Sequence, residues 1–198
     1  MIETIEQLEA LYGTPKAASL VKVTDHVTAE YGAFIQASPF VSLATVGPEG
    51  LDCTPRGDDG QVVFIEDDKT LSLPDWRGND RLDTLRNIVQ DPRLSLMFLV
   101  PGSNTVVRVN GKGRISAAPE LLQRFAKSGK APRTVLLVTI DEIYFQCARA
   151  VMRADLWNGK PAPALPSAGE ILASMTDGEV GGTEYDKTWP ARAEQTLW

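Results

Sequence analysis

Short runs of alternating apolar and polar residues, each broken by a tight-turn signal, recur through the middle of the chain, and this repetition narrows the possible folds more than any other feature. Phe40-Val41-Ser42-Leu43-Ala44-Thr45-Val46 alternates, Gly47-Pro48-Glu49-Gly50 turns, and Leu51-Asp52-Cys53-Thr54-Pro55 extends again. Period-two alternation sends successive side chains to opposite faces of a strand, while glycine and proline supply the dihedrals that reverse its direction. A second hairpin pairs residues 61–66 with 70–73 across Asp67-Asp68-Lys69. Residues 93–100 and 105–116 flank Pro101-Gly102-Ser103-Asn104, and 134–145 form a long β-branched run. Six or seven strands result. Consecutive hairpins with few helices predict a mainly β chain with peripheral helices, closed as an antiparallel barrel rather than laid out as a doubly wound parallel sheet.

Helical spacing is confined to the margins of this pattern. Residues 4–12 space Ile5, Leu8 and Leu11, and residues 28–37 space Tyr31, Phe34 and Ile35, as two packing helices. Residues 80–90 carry Leu82, Leu85, Ile88 and Val89 on one face and stop at Pro92; residues 120–127 form a short helix ended by Gly129. If residues 147–157 are helical, Val151 and Met152 face inward and Arg149 and Arg153 share another face. The chain then divides, within one domain, into helices over residues 1–38 that pack on a barrel, the barrel over 39–157, and a Pro/Gly-rich tail over 158–198. The tail offers one short helix at 168–175, and its Trp189 and Trp198 are expected to pack, because large aromatics are costly to leave in water.

Composition removes several function classes. The 198 residues, 43% hydrophobic and 23% charged, suit one ordinary globular core. No apolar run approaches the roughly 20 residues of a membrane span. Met1-Ile2-Glu3-Thr4-Ile5-Glu6 is acidic where a secretory signal is basic, so a cytoplasmic protein is expected. The net charge of -6 opposes binding to nucleic acid, whose phosphates demand a basic footprint. Cys53 and Cys147 show no metal-ligand spacing and read as small buried residues, so neither a metal site nor a disulfide framework is expected. His26, the single histidine, has no nucleophile elbow to serve.

The chemistry concentrates in arginines beside glycines and element ends. In Leu73-Pro74-Asp75-Trp76-Arg77-Gly78-Asn79-Asp80-Arg81 a strand stops, a glycine-containing loop follows and a helix begins. The first turn of a helix has unpaired N–H groups and partial positive charge, to which Arg77 and Arg81 would add full charges for a phosphate. Asn79 or Asp80 serving as a plain N-cap, with solvated arginines, is the alternative. Arg56, after Cys53-Thr54-Pro55 and before Gly57, is either a bidentate phosphate ligand or a hairpin arginine in solvent. Arg108, mid-strand in Val106-Val107-Arg108-Val109-Asn110-Gly111, needs a partner, whether an acidic side chain or a ligand. Gly111-Lys112-Gly113 lacks the rest of a nucleotide fingerprint and reads as a strand kink.

Taken in order, Thr54-Pro55-Arg56-Gly57, Leu73-Pro74-Asp75-Trp76-Arg77-Gly78-Asn79, Arg81-Leu82-Asp83-Thr84-Leu85-Arg86-Asn87-Ile88, Asp91-Pro92-Arg93, Phe98-Leu99-Val100-Pro101-Gly102 and Val107-Arg108-Val109-Asn110-Gly111 resemble the flavin-nucleotide-binding branch of the pyridoxamine 5'-phosphate oxidase-like split-barrel family. Phe145-Gln146-Cys147-Ala148-Arg149-Ala150, with Arg153 and Leu156-Trp157, continues the likeness. The resemblance implies an FMN-binding split barrel working as a homodimer, with the flavin between two barrels. It implies that Arg56, Asn79 and Arg81 clamp the phosphate beside Thr54, that Leu73, Pro74 and Asp75 run along the ring, and that Arg108 faces the cofactor. Arg149 and Arg153 are expected to border the open face of the flavin and bind an anionic small-molecule substrate. The tail lacks the tryptophan-and-arginine substrate motif of true pyridoxamine phosphate oxidases, so oxidation of vitamin B6 does not follow. An FMN-dependent oxidoreductase with an external reductant is the leading expectation; the alternative is a non-catalytic flavin or haem carrier, for which His26 is the sole histidine available as an axial ligand.

Overall fold

The computed structural model describes residues 1–161 and 163–198. Ala162, within the proline-rich part of the expected tail, lies outside the described residues. Helices α1 (Ile5–Glu9), α2 (Ala17–Leu20) and α3 (Ala29–Ala37) precede strands β1 (Phe40–Gly47), β2 (Gly50–Gly57), β3 (Phe64–Ile65) and β4 (Thr70–Asp75). Helix α4 (Asp83–Gln90) leads into β5 (Arg93–Leu99) and β6 (Val106–Ser116), and α5 (Pro119–Arg124) into β7 (Thr134–Gln146). Helices α6 (Arg149–Ala154), α7 (Ala168–Met175) and α8 (Gly182–Gln195) follow.

The strands make one antiparallel sheet in the order β2-β1-β5-β6-β7-β4-β3. Its core is built from cross-strand rows. Leu43 of β1 stands opposite Leu96 of β5, which faces Val109 of β6, which faces Ile143 of β7. All four are buried, and Val41, Phe98 and Val107 form the next row. Neighbours of this kind share a face of the sheet, so each apolar alternation found in the sequence becomes one column of the core. The sheet curls: β2 and β4 stand at its first and sixth places, yet Arg56 Nη2 on β2 lies 3.6 Å from Asp75 Oδ1 on β4. The result is a split barrel, open along the β2–β4 gap, as the hairpin pattern predicts.

Two glycines make the curl possible. The β6–β7 register shifts between Asn110 and Gly111, and a Cβ on Gly111 would stand 2.2 Å from the backbone oxygen of Thr139. A Cβ on Gly113 would meet Leu94, Leu136 and Ile88. The expected kink is therefore a β-bulge at which two backbones approach closely, and Gly113 leaves the space that Ile88 of α4 fills.

Several expectations need correction. Helix α4 starts at Asp83 rather than residue 80, because Asp80 (φ 59°) and Leu82 (φ 63°) take left-handed backbone. Its buried positions are Thr84 and Ile88, with Leu82 and Val89 exposed. Strand β3 is shorter than 61–66: Val62 donates its N–H to Ser38 O and Gln61 Nε2 donates to Val63 O, so these residues join the α3–β1 link instead of the β4 ladder. Conversely, β4 runs on through Pro74, whose missing N–H is tolerated where β3 has already ended. Helix α5 stops at Arg124, since Ser128 and Gly129 bend the following residues into a turn closed by paired Lys127–Lys130 backbone bonds. Helix α3 packs through Ile35, but Ile5, Leu8 and Leu11 of the first segment are exposed, so α1 is not a packing helix in this chain. Val151 of α6 is buried while Met152 is not.

Cys53 and Cys147 are both exposed rather than buried, the first on the outward side of β2. The tail holds the expected α7, started by a Ser167–Glu170 capping box, and also α8, whose internal Pro190 conceals it from periodicity. Trp189 stays exposed and stacks on Tyr185 with ring centroids 6.0 Å apart, whereas Trp198 packs back on the barrel. Among the described residues no helix is long and apolar enough to cross a membrane.

Candidate functional site

The β2–β4 gap holds a cavity of about 830 Å³, within the range typical of small-ligand and cofactor sites. Strand β2 is an edge strand whose inward residues Asp52, Thr54 and Arg56 have no further strand to cover them. They line one wall with Gly57; Leu73, Pro74 and Asp75 of β4, the loop to α4, Val62, Arg133, Thr134 and Leu197 are among the residues of the others. Because β3 pairs only with Leu71 and Ser72, the edge of β4 from Leu73 to Asp75 has unpaired backbone on the side away from β7. Such an edge can hydrogen-bond a flat polar ligand.

The loop is shaped for close approach. Asp80 and Leu82 occupy left-handed conformations that cost a non-glycine residue roughly 1–2 kcal/mol each. Strain of this kind gathers at ligand sites. Leu82, the N-cap of α4, offers no side chain to the free N–H groups of the first turn, which stay available beside the cavity. The start of α4 is fixed by Thr84 Oγ1 donating to Asp52 Oδ2 at 2.6 Å and by Asn87 Nδ2 donating to Thr45 Oγ1 at 3.2 Å.

Four arginines and four aspartates share the lining. Arg56 donates to Thr54 Oγ1 at 2.9 Å and to Pro55 O at 3.0 Å, and faces Asp75; both charged side chains are about four-fifths buried. Arg81 pairs with Asp83 at 2.9 Å, and Arg133 with Asp80 at 2.6 Å. Arg77 makes no ion pair among the described residues. Asn79 spends its side-chain oxygen on the N–H of Arg81 at 3.2 Å. Arg56, Arg81 and Arg133 are thus held by carboxylates that an incoming anion must outcompete, which favours a doubly charged group over a single carboxylate.

Burial pushes the Asp75 carboxyl above its ordinary 3.8, against the pull of Arg56 and Arg133. The folded chain therefore holds the Asp75 proton more tightly than the unfolded chain does. Its contribution to stability is fully present below 3.8 and is lost as pH rises through the raised folded value. The stability of wild type minus that of Asp75→Asn, from urea unfolding at a series of pH values, should fall as pH rises from about 4 toward 7. A flat difference would place the Asp75 charge in solvent.

Of the residues singled out in the sequence, Thr54, Arg56, Leu73, Pro74, Asp75, Asn79 and Arg81 come together on this one cavity. Arg108, Arg149 and Arg153 do not line it. Arg108 lies on the other face of the sheet, where its guanidinium sits 5.4 Å from the Tyr144 ring; it has found an aromatic rather than an acidic partner. Arg149 and Arg153 are exposed on α6, whose end is tied down by Trp157 Nε1 donating to Ser103 O at 2.7 Å. His26 is also outside the cavity, bonded to Thr24 and Asp25. Sequence reasoning missed Asp52, Trp76, Asp83, Thr84, Arg133 and Leu197 as lining residues. Arg133 alone carried a local signal, a cation just before the strand that pairs with β4.

The fold and cleft define a split barrel with an anion-ready gap between its two open edges. The family pattern described as pyridoxamine 5'-phosphate oxidase matches residues 27–147, and the chain belongs to that family. Among solved structures, a Lactobacillus delbrueckii protein described as a candidate pyridoxamine 5'-phosphate oxidase is 20% identical, with 61% of this chain and 95% of that chain covered and a TM-score of 0.50. HupZ from Group A Streptococcus is 19% identical over 60% of this chain and 93% of that one, at a TM-score of 0.48. A pyridoxamine 5'-phosphate oxidase-related, FMN-binding protein from Nostoc punctiforme is 16% identical over 59% and 84%, at 0.43. At 20% identity the likeness to the Lactobacillus delbrueckii protein is one of fold alone. No curated protein matches the chain.

Proposed function

We propose that the chain binds FMN in the β2–β4 gap and works in the cytoplasm as an FMN-dependent oxidoreductase on a small molecule, drawing on an external reductant. The observation that carries this reading is the convergence of Arg56, Asn79, Arg81 and the free edge at Leu73–Asp75 on one cavity, in a chain of this family. The donor set fits the group. Arg56, Arg77 and Arg81, with the uncapped first turn of α4, suit a phosphate monoester, while Val62, Leu73, Pro74 and Trp76 supply apolar and aromatic wall for a planar ring. A bound flavin would supply hydride or electron transfer, chemistry that no side chain here provides. The protein's own part is to hold the phosphate through Arg56 and Arg81, to align the ring along β4, and to keep the Asp75 charge beside Arg56.

In this reading the three parts of the chain, residues 1–38, 39–157 and 158–198, belong to one domain. The active unit is a homodimer, and Arg108, Arg149 and Arg153, which stand outside the cavity of their own chain, reach a flavin only from the second subunit. Purified protein, reconstituted with FMN if isolated without it, should show flavin absorption near ~450 nm. It should sediment at about twice the 21.5 kDa chain mass. A colourless protein after reconstitution, or a haem Soret band, would overturn the cofactor, and a monomer fully occupied by FMN would overturn the dimer.

A further inference from the structure

Asp58 lies two residues beyond Arg56, and its side chain is 1% exposed. A carboxylate so buried is stable only if its oxygens are satisfied by donors. The neighbouring Asp59 N–H donates to Oδ1 at 2.7 Å, and three side-chain donors come from three distant segments. Trp76 Nε1, in the loop after β4, lies 3.2 Å from Oδ2; Lys127 Nζ lies 2.5 Å and Trp198 Nε1 3.1 Å from Oδ1. The backbone of Asp58 is itself anchored, its N–H donating to Pro39 O.

Trp198 is seated from several sides. Lys127 Nζ stands 5.3 Å from its ring centroid and 5.8 Å from that of Trp76, so one ammonium serves both indoles. Lys130 Nζ donates to the main-chain oxygen of Trp198 at 3.0 Å. The turn at Ser128-Gly129, left-handed at both residues, presents the two lysines to the same tail residue. The preceding residue, Leu197, lines the cavity.

We propose that Asp58 and Trp198 are positioning residues of the cleft: together they clasp the Trp76–Leu82 loop in its ligand-receiving shape and hold Leu197 as part of the cavity wall. Neither needs to touch the ligand. Asp58 joins the strand that carries Arg56 to the loop that carries Arg77, Asn79 and Arg81, so the spacing of the cationic groups depends on it. Trp198 completes the donor set of Oδ1 beside Lys127 and the Asp59 N–H and covers that oxygen from water, which strengthens the other bonds. The tail thereby becomes part of the site although it lies outside the sheet.

The test has a ligand-free arm and a flavin arm, and only the second rests on the proposed cofactor. In the full chain without ligand, Trp198→Ala should raise the rate of tryptic cleavage after Arg77 and Arg81, followed by mass spectrometry, by about tenfold or more, the scale of a lost hydrogen bond to a charged group. Trp198→Phe, which keeps one aromatic ring near Lys127 but loses the N–H and the second ring of the indole, should fall between wild type and Ala. Trp189→Ala, on the exposed face of α8, should leave that cleavage unchanged. With FMN, release from Trp198→Ala should be faster by about the same factor. Cleavage after Arg77 and Arg81 in Trp198→Ala equal to that of wild type overturns the clasp. If wild type fails to retain FMN, the flavin reading falls, and the cleavage result still decides the clasp.

Discussion

Arg56→Ala is expected to weaken FMN binding by about 10- to 150-fold, the equivalent of roughly 1.5–3 kcal/mol for a charge-assisted hydrogen bond to phosphate. The guanidinium is preorganised by Thr54 Oγ1 and Pro55 O on a strand paired along its length with β1, so little freedom remains to be lost on binding. Its removal also leaves Asp75, already disfavoured as a charge by burial, without its nearest cation and close to the incoming phosphate. Arg81→Ala should act in the same direction with a smaller effect, because that side chain is 75% exposed, lies on a loop and must first leave Asp83. Riboflavin, which lacks the phosphate, should bind poorly to wild type and be nearly indifferent to either substitution. Fluorescence titration with both flavins decides the matter; equal losses for FMN and riboflavin would show that Arg56 does not meet the phosphate.

The second large effect is structural. Gly111→Ala places a Cβ 2.2 Å from the backbone oxygen of Thr139, and backbone in a central ladder cannot step aside as a flexible side chain could. Overpacking of this kind costs about 3 kcal/mol or more, at the upper end of what single core substitutions do. For a chain of this size each kcal/mol is worth about 2–4 °C, so the melting temperature should fall by roughly 6–12 °C or the variant should fail to fold. Gly102→Ala, at a turn glycine with φ +82° and nothing within 4 Å, controls for backbone strain without steric contact. Gly111 itself has no left-handed φ, so a loss at Gly111 no larger than that at Gly102 would mean that β6 and β7 separate readily enough to admit the Cβ.

Much of this architecture was legible in the residues because its signals are local. Alternation in Phe40–Gly47 needs only the two-residue period of a strand, and the turn signals at Gly47-Pro48-Glu49-Gly50 and Pro101-Gly102-Ser103-Asn104 need only backbone preferences. The kink at Gly111 was readable for the same reason, although the oxygen that forbids a side chain there was not. Helix α8 is not legible locally because Pro190 and weak apolar periodicity mask it, and the start of α4 at Asp83 is not legible because nothing local announces that Leu82 turns left-handed. Ile5, Leu8 and Leu11 have the spacing of a packing face, yet spacing reports a face without saying whether anything covers it, and all three are exposed.

The sequence by itself determined that the chain is a hairpin-built split barrel of this family, and it singled out Arg56, Asn79 and Arg81 with the Leu73–Asp75 segment as the chemically unusual stretches. Only the tertiary structure decided that these share one cavity, that Arg108, Arg149 and Arg153 do not, and that each of Arg56 and Arg81 already faces a carboxylate. It also decided that Asp58, Trp76, Lys127 and Trp198, spread over 140 residues, meet at one buried charge. The physical reason is that periodicity and turn chemistry act between neighbours along the chain, whereas the partner of a buried charge is chosen by the curl of the sheet, which sums small twists over seven strands.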